Sequence, residues 1–112
     1  MEETLTQPCR VKYASTETNF NYRDGYVSDK EVGYMEAQAR GGAGIVTTQG
    51  AYTDPRGEGR GYVGMMAIWD DKFIPGLKRL ADVIHKHNSA SCLQLMHCGR
   101  VGAIEQIGRA HV

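Results

Sequence analysis

The stretch Leu93–Arg100, LQLMHCGR, combines an apolar run with one amide and then opens into a histidine and an arginine. Ser91–Leu95 is short and follows a helix-like segment that ends at His87–Ser89, which is typical of a strand that closes a β-α-β unit. Within such a strand the Gln94 side chain looks buried, and an unpaired buried amide costs about 1–3 kcal/mol. Either neighbouring backbone groups or a ligand must therefore satisfy Gln94.

Two earlier segments also predict strands. Arg10–Ala14 is the first, and the β-branched run Ile45–Thr48 is the second. Each is followed by a long polar or glycine-rich loop, Ser15–Val27 after the first strand and Gln49–Asp71 after the second. Long loops that follow strands often carry function, so both loops are candidates for a site.

The segment between these two strands predicts a helix with a capping box. In this box the Ser28 hydroxyl accepts a backbone amide proton, and the Glu31 carboxylate accepts from the Ser28 amide. The helix is expected to run to about Arg40 and to end at Gly41–Gly42, because glycine takes the left-handed cap conformation without a steric penalty. Its apolar stripe consists of Val32, Met35 and Ala39.

A second helix is expected to begin at a cap formed by Asp70 or Asp71. Apolar residues recur there at helical spacing: Ile74, Leu77, Leu80, Ala81 and Ile84. His85 and His87 fall at the C-terminal end, where we expect them to be solvated.

The order β-α-β-α-β predicts a parallel sheet. The connections after helices are short and those after strands are long, an asymmetry typical of (β/α)₈ barrels, whose sites lie at the C-terminal ends of the strands. Such a barrel needs about 250 residues. The chain is therefore predicted to be an α/β fold, the N-terminal β-α-β-α-β portion of an incomplete TIM barrel, with an exposed strand edge that leaves it marginally stable alone.

Charge and composition exclude several classes of protein. Thirteen basic and thirteen acidic residues cancel, so no charged surface favours nucleic acid or a membrane. The start Met1–Thr4 is acidic and polar, which argues against a signal peptide and predicts a cytoplasmic protein. Cys9, Cys92 and Cys98 are an odd set without metal-type spacing, so we expect reduced thiols.

The segment Gly59–Gly64 matches the pattern G-x-G-x-x-G but does not predict a dinucleotide site. That fingerprint requires a strand, a turn and a helix in immediate succession, whereas here the pattern lies well past a strand and runs into Met65–Trp69. We expect the glycines to give a mobile loop that folds over a site.

Several segments, in this order, resemble the N-terminal part of the old yellow enzyme family of NADH:flavin oxidoreductases, in particular its dienoyl-CoA reductase and bile-acid desaturase-like branch. They are Arg10–Ser15, Asp24–Val27, Tyr34–Gly42, Gln49–Ala51, Asp71–Leu77 and Leu93–Arg100. The resemblance implies an FMN-dependent oxidoreductase on a TIM barrel, which transfers hydride between NADH or NADPH, the flavin and an activated C=C bond.

The resemblance also implies which residues would bind the flavin. The turn after the first strand would supply backbone contacts from Ser15, Thr16 and Glu17. Ala51 would lie where the second strand approaches the cofactor closely, and Gln94 would pair with the pyrimidine edge of the isoalloxazine.

Some positions depart from the family pattern or stay open. Glu17 falls where the family often has a Thr or Cys that tunes the flavin, and its carboxylate would either lower the flavin potential or turn to solvent. His97 and Arg100 are the catalytic candidates, with a loop-anchoring role equally open for both. Cys98 beside His97 does not make a zinc site, so no metal is expected.

Other parts of the family are not in this chain. The substrate, proton-donor and flavin-phosphate segments are absent, as are the iron–sulfur and FAD segments of the longer branch. We interpret residues 1–106 as the N-terminal part of the FMN-binding domain of a protein that acts on a small enone or enoyl-type substrate and could be oligomeric. Residues 107–112 resemble a translated sequencing adapter and are expected to be non-native. The alternative is a small non-catalytic α/β module that binds a nucleotide or a protein.

Overall fold

The computed structural model describes residues 9–101, which form a parallel sheet with two helices. The strands are β1 (Lys12–Tyr13), β2 (Ile45–Tyr52), β3 (Met66–Ala67) and β4 (Ala90–Leu95). The helices are α1 (Asp29–Arg40) and α2 (Ile74–His85), and single 3₁₀ turns cover Asp71–Phe73 and Gly99–Val101. The predicted alternation of strands and helices in a parallel sheet is confirmed.

Strand β2 is the centre of the sheet. Strand β4 pairs along one of its edges, from Ile45 opposite Ala90 to Ala51 opposite Leu95. The opposite edge is shared, because β1 pairs with the start of β2 and β3 pairs with its end. The carboxyl ends of β1, β2 and β4 therefore lie at the same end of the sheet. In a β/α barrel this end carries the functional loops.

The second strand is longer than predicted. It continues through Gln49–Ala51 to Tyr52, so the following loop begins after Tyr52 and not at Gln49. The pairing of β2 with β4 shifts register between Thr47 and Gly50. A glycine inside a strand often marks such an irregularity, and Gly50 misled the prediction because glycine is otherwise a turn residue. Strand β3, with two residues, was too short to be predicted.

Helix α1 confirms one half of the predicted capping box and contradicts the other. The Ser28 side chain accepts from the Glu31 amide at 3.1 Å. The Ser28 amide, however, donates to Asn21 Oδ1 at 3.1 Å, and the Glu31 carboxylate turns into the core. At the other end the left-handed residue is Gly42, with φ 105°, because Gly41 keeps a helical conformation.

Helix α2 follows the 3₁₀ turn that Asp70 caps by accepting from the Lys72 amide. Leu80 and Ile84 are buried as predicted, but Ile74 is 53% exposed and does not reach the core. The core between the helices and the sheet contains Val27, Met35, Ala39, Val46, Ala51, Met66, Leu80 and Ile84.

The C-terminal end of α2 contacts α1 through a histidine. His87 Nε2 lies 3.3 Å from Glu36 Oε2, and Lys86 Nζ lies 3.6 Å from the same oxygen. The prediction that His87 is solvated was wrong, since only 22% of its side chain is exposed. His85 is exposed, and its Nε2 lies 3.0 Å from Ser91 Oγ.

Strand β4 has an open edge. Residues 91–95 are all exposed, with Leu95 at 61%. An exposed apolar strand edge is a template for a further strand, as the interpretation of an incomplete barrel expects. Within residues 9–101, no helix has both the length and the apolar character needed to cross a membrane.

Candidate cofactor-binding site at the strand ends

The Ser15 hydroxyl, the Thr48 backbone carbonyl and the Gln94 side chain meet toward the carboxyl ends of β1, β2 and β4. Ser15 Oγ lies 2.7 Å from the Thr48 carbonyl oxygen and 2.7 Å from Gln94 Oε1. The Gln94 backbone N–H also donates to Thr48 Oγ1 at 3.4 Å. We call Ser15, Thr48 and Gln94 the strand-end cluster. It joins Ser15, in the loop after β1, to Thr48 on β2 and Gln94 on β4, which are far apart in sequence.

The proton of the Ser15 hydroxyl constrains the orientation of Gln94. A hydroxyl has one proton to donate, and the Thr48 carbonyl can only accept. If Ser15 donates its proton to Thr48, its oxygen can only accept from Gln94, so the Gln94 atom that faces Ser15 is then the NH₂ group. The side-chain amide can be turned in this way because its oxygen and nitrogen are nearly indistinguishable by position. In that orientation the Gln94 carbonyl and its second N–H both face outward.

Gln94 is exposed in this chain, which corrects the expectation of a buried amide. The reason is its position on β4, which no further strand covers within residues 9–101. Its side chain is thus held on one side by Ser15 and is open on the other. Such a side chain is available to bind a ligand.

Glu17 turns toward strand β2 and not to solvent. Its Oε1 accepts from the Gly50 amide at 2.6 Å, and its Oε2 is buried without a hydrogen-bond partner. Burial raises the pKa of Glu17, the Gly50 N–H lowers it, and the charge of Glu31 raises it, with a higher pKa as the net result. The carboxyl group of Glu17 therefore holds its proton to higher pH than an ordinary glutamate.

Gly50 and Met96 complete this side of β2, and sequence reasoning missed both. A Cβ atom at Gly50 would come within 2.7 Å of Met96 Cβ and Cε and within 2.9 Å of Glu17 Oε1. Only glycine leaves room for these two side chains. The available signal was a glycine inside an otherwise β-branched segment, which indicates a bulge or a close approach.

Ala51 and Thr16 make contacts within the chain, and their proposed roles at the flavin stay predictions. The Ala51 side chain is fully buried in the core with Met35 and Met66. Its carbonyl accepts from the Met96 amide at 3.0 Å. Thr16 is exposed, and its hydroxyl donates to the Ala14 carbonyl at 3.2 Å. Neither side chain is part of the strand-end cluster.

The candidate catalytic residue His97 lies against the loop that follows β2. Its ring would be 2.7 Å from a Cβ at Gly59, and its Nδ1 accepts from the Gly99 amide at 3.0 Å. These contacts anchor a loop. Arg100 is exposed in the last 3₁₀ turn. The roles of both residues in catalysis stay predictions.

The glycines of the 59–64 segment provide close packing. Gly59 lies against His97, Gly61 against Cys98 Sγ, and Gly64 against the backbone of Asn19. In addition, the Cys98 amide donates to the Gly59 carbonyl at 2.8 Å. Each of these glycines lets another segment approach where a Cβ would collide, and the expected mobility of the loop stays a prediction.

A second polar cluster lies behind the strand ends, inside the fold. Thr18 Oγ1 donates to Glu31 Oε2 at 2.5 Å and accepts from Gln49 Nε2 at 3.0 Å. Glu31 and Gln49 are both fully buried. Burial raises the pKa of Glu31, while the hydrogen bonds from Thr18 and Gln49 lower it, and the net effect is a raised pKa. We call Thr18, Glu31 and Gln49 the inner polar cluster.

The three cysteines are free thiols. Burial, followed by the charge of Glu17, raises the pKa of Cys98, which makes it a poor thiolate nucleophile. In the described part of the chain, no group of three or more His, Cys, Asp or Glu residues is arranged to hold a metal ion.

Comparison with protein families gives a match over nearly the whole chain. The model of the NADH:flavin oxidoreductase / NADH oxidase family matches residues 5–111. The proposed boundary at residue 106 and the tail 107–112 lie outside the residues that the structure describes, so both stay predictions.

Two curated relatives and one solved structure are similar to this chain. A metal reductase of Desulforamulus reducens is 38% identical over 77 residues, which is 69% of this chain and 11% of that protein. An NADH:acrylate oxidoreductase of Vibrio harveyi is 33% identical over 92 residues, 82% of this chain and 9% of that protein. The structure of a 2-naphthoyl-CoA reductase in complex with 2-naphthoyl-CoA is 43% identical, with a TM-score of 0.83, over 91% of this chain and 15% of that chain. This chain therefore spans only a small part of the length of these proteins.

Proposed function

Because the chain belongs to the NADH:flavin oxidoreductase / NADH oxidase family, the old yellow enzyme family that its sequence resembles, we propose that it is the N-terminal part of an FMN-dependent oxidoreductase. The proposed reaction is hydride transfer between NADH or NADPH, the flavin and an activated C=C bond. Residues 1–106 would form the first part of the FMN-binding barrel. As one portion of that barrel, the chain would be inactive alone.

The strand-end cluster is the observation that carries this proposal. It brings Ser15 and Gln94 within 2.7 Å of each other across 79 residues of sequence. In a parallel β/α fold, ligands bind at this end of the strands. The cluster is polar and exposed on one side, which are the properties of a binding surface.

The Gln94 carboxamide fits the group that the family binds. The pyrimidine edge of a flavin presents one N–H donor between two carbonyl acceptors. With its NH₂ group toward Ser15, Gln94 presents one acceptor and one further donor outward, which is the complementary pattern. FMN bound there would supply an acceptor and donor of hydride, and the role of Gln94 would be to orient its ring.

The relatives support a small-molecule substrate, and two of them are named for unsaturated compounds, acrylate and 2-naphthoyl-CoA. For this chain we propose an enone or enoyl-type substrate. The nicotinamide reductant is supported by the name of the family, which includes NADH.

Flavin binding by the full-length protein tests the proposal. The purified protein should be yellow and should release FMN on denaturation. The Gln94→Leu variant should bind FMN at least about tenfold more weakly, because it loses one or two hydrogen bonds to the ring. Gln38→Leu, on α1, should bind FMN as the wild type does.

A colourless full-length protein that does not bind added FMN would contradict the proposed function. The non-catalytic α/β module would then be the better description. Equal FMN affinities for the two variants would leave the flavin enzyme standing but would remove Gln94 from its binding site.

A further inference from the structure

Two carboxyl groups beside strand β2, those of Glu17 and Glu31, each have one oxygen that is bonded and one that is not. Glu17 Oε1 accepts from the Gly50 amide at 2.6 Å, and Glu31 Oε2 accepts from Thr18 Oγ1 at 2.5 Å. Within residues 9–101, Glu17 Oε2 and Glu31 Oε1 are buried without a hydrogen-bond partner. A buried carboxylate oxygen without a donor is unfavourable, and a bound proton removes its charge. The surroundings of both side chains therefore favour the protonated form.

None of the groups that shift the pKa values of these two side chains most is a cation. Burial raises the pKa of Glu17, the Gly50 N–H lowers it, and the charge of Glu31 raises it. Burial also raises the pKa of Glu31, and the hydrogen bonds from Thr18 and Gln49 lower it. Each pKa is raised on balance. Because ionisation of one carboxyl group opposes ionisation of the other, the two titrate as a coupled pair.

Two further titratable groups lie near this pair. Burial, followed by the charge of Glu17, raises the pKa of Cys98 from 9.0. The pKa of Tyr34 is raised from 10.0, first by its hydrogen bond with Tyr13, then by burial and by the charges of Tyr13 and Glu31. Both groups are neutral near pH 7 for this reason. Neither one supplies a charge that replaces a proton on the two carboxyl groups.

Glu17 connects the two carboxyl groups to the strand-end cluster. Its carboxylate is fixed on Gly50, and Gly50 pairs with Gln94 across β2 and β4. Ser15, two residues before Glu17, lies 2.7 Å from Gln94 through its hydroxyl. Negative charge at the strand-end cluster therefore forms near Glu17 and increases its affinity for a proton. Thr16, the residue between Ser15 and Glu17, is exposed, so a proton can arrive from solvent.

We propose that Glu17 and Glu31 form a proton-holding pair, in which Glu17 Oε2 takes up a proton from solvent when negative charge forms at the strand-end cluster. The source of that charge rests on the proposed function. A hydride carries two electrons and one proton, so its transfer to FMN leaves the bound cofactor one unit more negative. The solvent proton forms an O–H bond at Glu17 Oε2 and cancels that unit, and no other bond of the pair changes.

Infrared difference spectroscopy of the full-length protein, between its oxidised and electrochemically reduced forms, tests the proton uptake. A protonated carboxyl group has a C=O band that is separate from the bands of a carboxylate. Between about pH 5 and pH 9, reduction should add one such band at pH values where Glu17 is ionised in the oxidised protein. Glu17→Gln should abolish this band. Glu58→Gln, which removes an exposed carboxylate, should retain it.

A charge introduced by substitution tests the same coupling without the flavin. Gln94→Glu adds a carboxylate to the strand-end cluster, and this carboxylate stays ionised because position 94 is exposed. Relative to the wild type freed of FMN, the pH midpoint of the Glu17 C=O band should rise by about half a unit or more. The matched control is Gln38→Glu. It places the same charge on α1 near the start of β2, at the opposite end of the sheet, and should leave the midpoint unchanged.

Glu31→Gln tests the pairing of the two carboxyl groups. Glutamine has nearly the size of glutamate, and its oxygen can still accept from Thr18 Oγ1. Glu17 should then titrate in a single step, about half a unit or more below the higher step of the wild-type pair. An unchanged titration would show that the two side chains do not act as a pair.

Two further results overturn the proposal. One is a Glu17 midpoint that does not respond to Gln94→Glu, or that responds equally to Gln38→Glu. The other is a yellow protein in which reduction adds no band from Glu17, and this result contradicts the proton-holding pair while the flavin enzyme stands. A colourless protein that binds no FMN contradicts the proposed function instead, and a shifted Glu17 midpoint in its Gln94→Glu variant would still support the pair.

Discussion

Two polar clusters flank strand β2, and they differ in what completes them. The inner polar cluster of Thr18, Glu31 and Gln49 is buried, and its hydrogen bonds join residues of this chain, while Glu31 Oε1 and Gln49 Oε1 are buried without a hydrogen-bond partner. The strand-end cluster is open, because Gln94 is exposed on its outer side. Polar groups of the first kind serve the fold, whereas those of the second kind are available to a ligand. The similar side chains of Gln49 on β2 and Gln94 on β4 thus have different surroundings, and burial separates them.

Gly50 lies where the two clusters meet, so its replacement should have the largest effect. Gly50→Ala places a Cβ within 2.7 Å of Met96 and 2.9 Å of Glu17. We expect a loss of about 1–3 kcal/mol in the free energy of unfolding, together with weaker FMN binding, because β2 and the segment after β4 must separate. Urea unfolding of the full-length protein, followed with and without FMN, measures both.

Gly33→Ala is the matched control for this variant. Gly33 is inside α1, and a Cβ there would meet nothing within 4 Å. We expect it to stabilise the protein by about 0.5–1 kcal/mol, because alanine is the better helix former. Similar urea midpoints for the two variants would show that Gly50 is not a packing constraint.

The helix caps provide a second test of the role of burial. Ser28 is buried and makes two bonds with its hydroxyl: it accepts from the Glu31 amide at 3.1 Å and donates to the Phe20 carbonyl at 2.7 Å. Ser28→Ala should therefore cost about 1–2 kcal/mol of stability. Asp70→Ala removes an exposed cap with a single bond to Lys72 and should cost less. Thermal unfolding of both variants measures the difference, and a larger loss for Asp70→Ala would contradict the distinction.

The pH dependence of stability should report on the burial of Glu31 in the inner polar cluster. The pKa of Glu31 is raised above 4.5, chiefly by burial, so the folded state holds this proton to higher pH than the unfolded state. The contribution of Glu31 to stability is then present below pH 4.5 and is lost as pH rises through the folded pKa. The loss in the free energy of unfolding is about 1.4 kcal/mol for each unit by which the folded pKa exceeds the unfolded pKa. Glu31→Gln cannot ionise, so its stability relative to the wild type should increase as pH rises above 4.5.

Glu36 should show the opposite sign. Its pKa is lowered, first by the hydrogen bond from His87, so its stabilising contribution is present at neutral pH and is lost as pH falls. As pH rises, the urea midpoint of Glu31→Gln should increase relative to the wild type, above pH 4.5, and that of Glu36→Gln should decrease relative to the wild type, below pH 4.5, so the measurements run from about pH 3 to pH 8. Parallel curves would mean that Glu31 is not desolvated.

Local sequence patterns predicted the elements because each one depends on neighbours along the chain. A pattern such as the β-branched run 45–48, or the apolar stripe that contains Met35 and Ala39, can be interpreted within a single strand or helix. The partners of Glu31 could not be predicted in this way. The S-x-x-E pattern of Ser28 and Glu31 is compatible with a capping box and also with a buried carboxylate. Which of the two forms depends on Thr18 and Gln49, which come from other parts of the fold.

The candidate site was also predicted only in part. Gln94 was identified from a polar residue in an apolar strand, and the structure places it beside Ser15. The contact of Gly50 with Met96 could not be predicted, because it depends on a register shift between β2 and β4. A cavity lined by Arg23, Arg56, Arg60 and Arg79 could not be predicted either, because these residues are far apart in sequence and only the fold brings them together.

The smallest expected effect concerns Glu17, which lies along the chain between Ser15 of the strand-end cluster and Thr18 of the inner polar cluster. Its Oε1 is fixed on the Gly50 amide, and the charge of Glu31 adds to the rise of its pKa. A charged carboxylate at this position would disfavour an anionic reduced flavin, so Glu17→Gln should raise the midpoint potential of the full-length protein, by about 30 mV for each ~1.4 kcal/mol of interaction in a two-electron couple. Because its pKa is raised, the difference from the wild type should appear only at pH values where Glu17 is ionised. Glu58→Gln, an exposed carboxylate, should leave the potential unchanged. Equal potentials for the wild type and Glu17→Gln at every pH would assign Glu17 to the fold, together with the inner polar cluster, and leave the strand-end cluster to Ser15, Thr48 and Gln94.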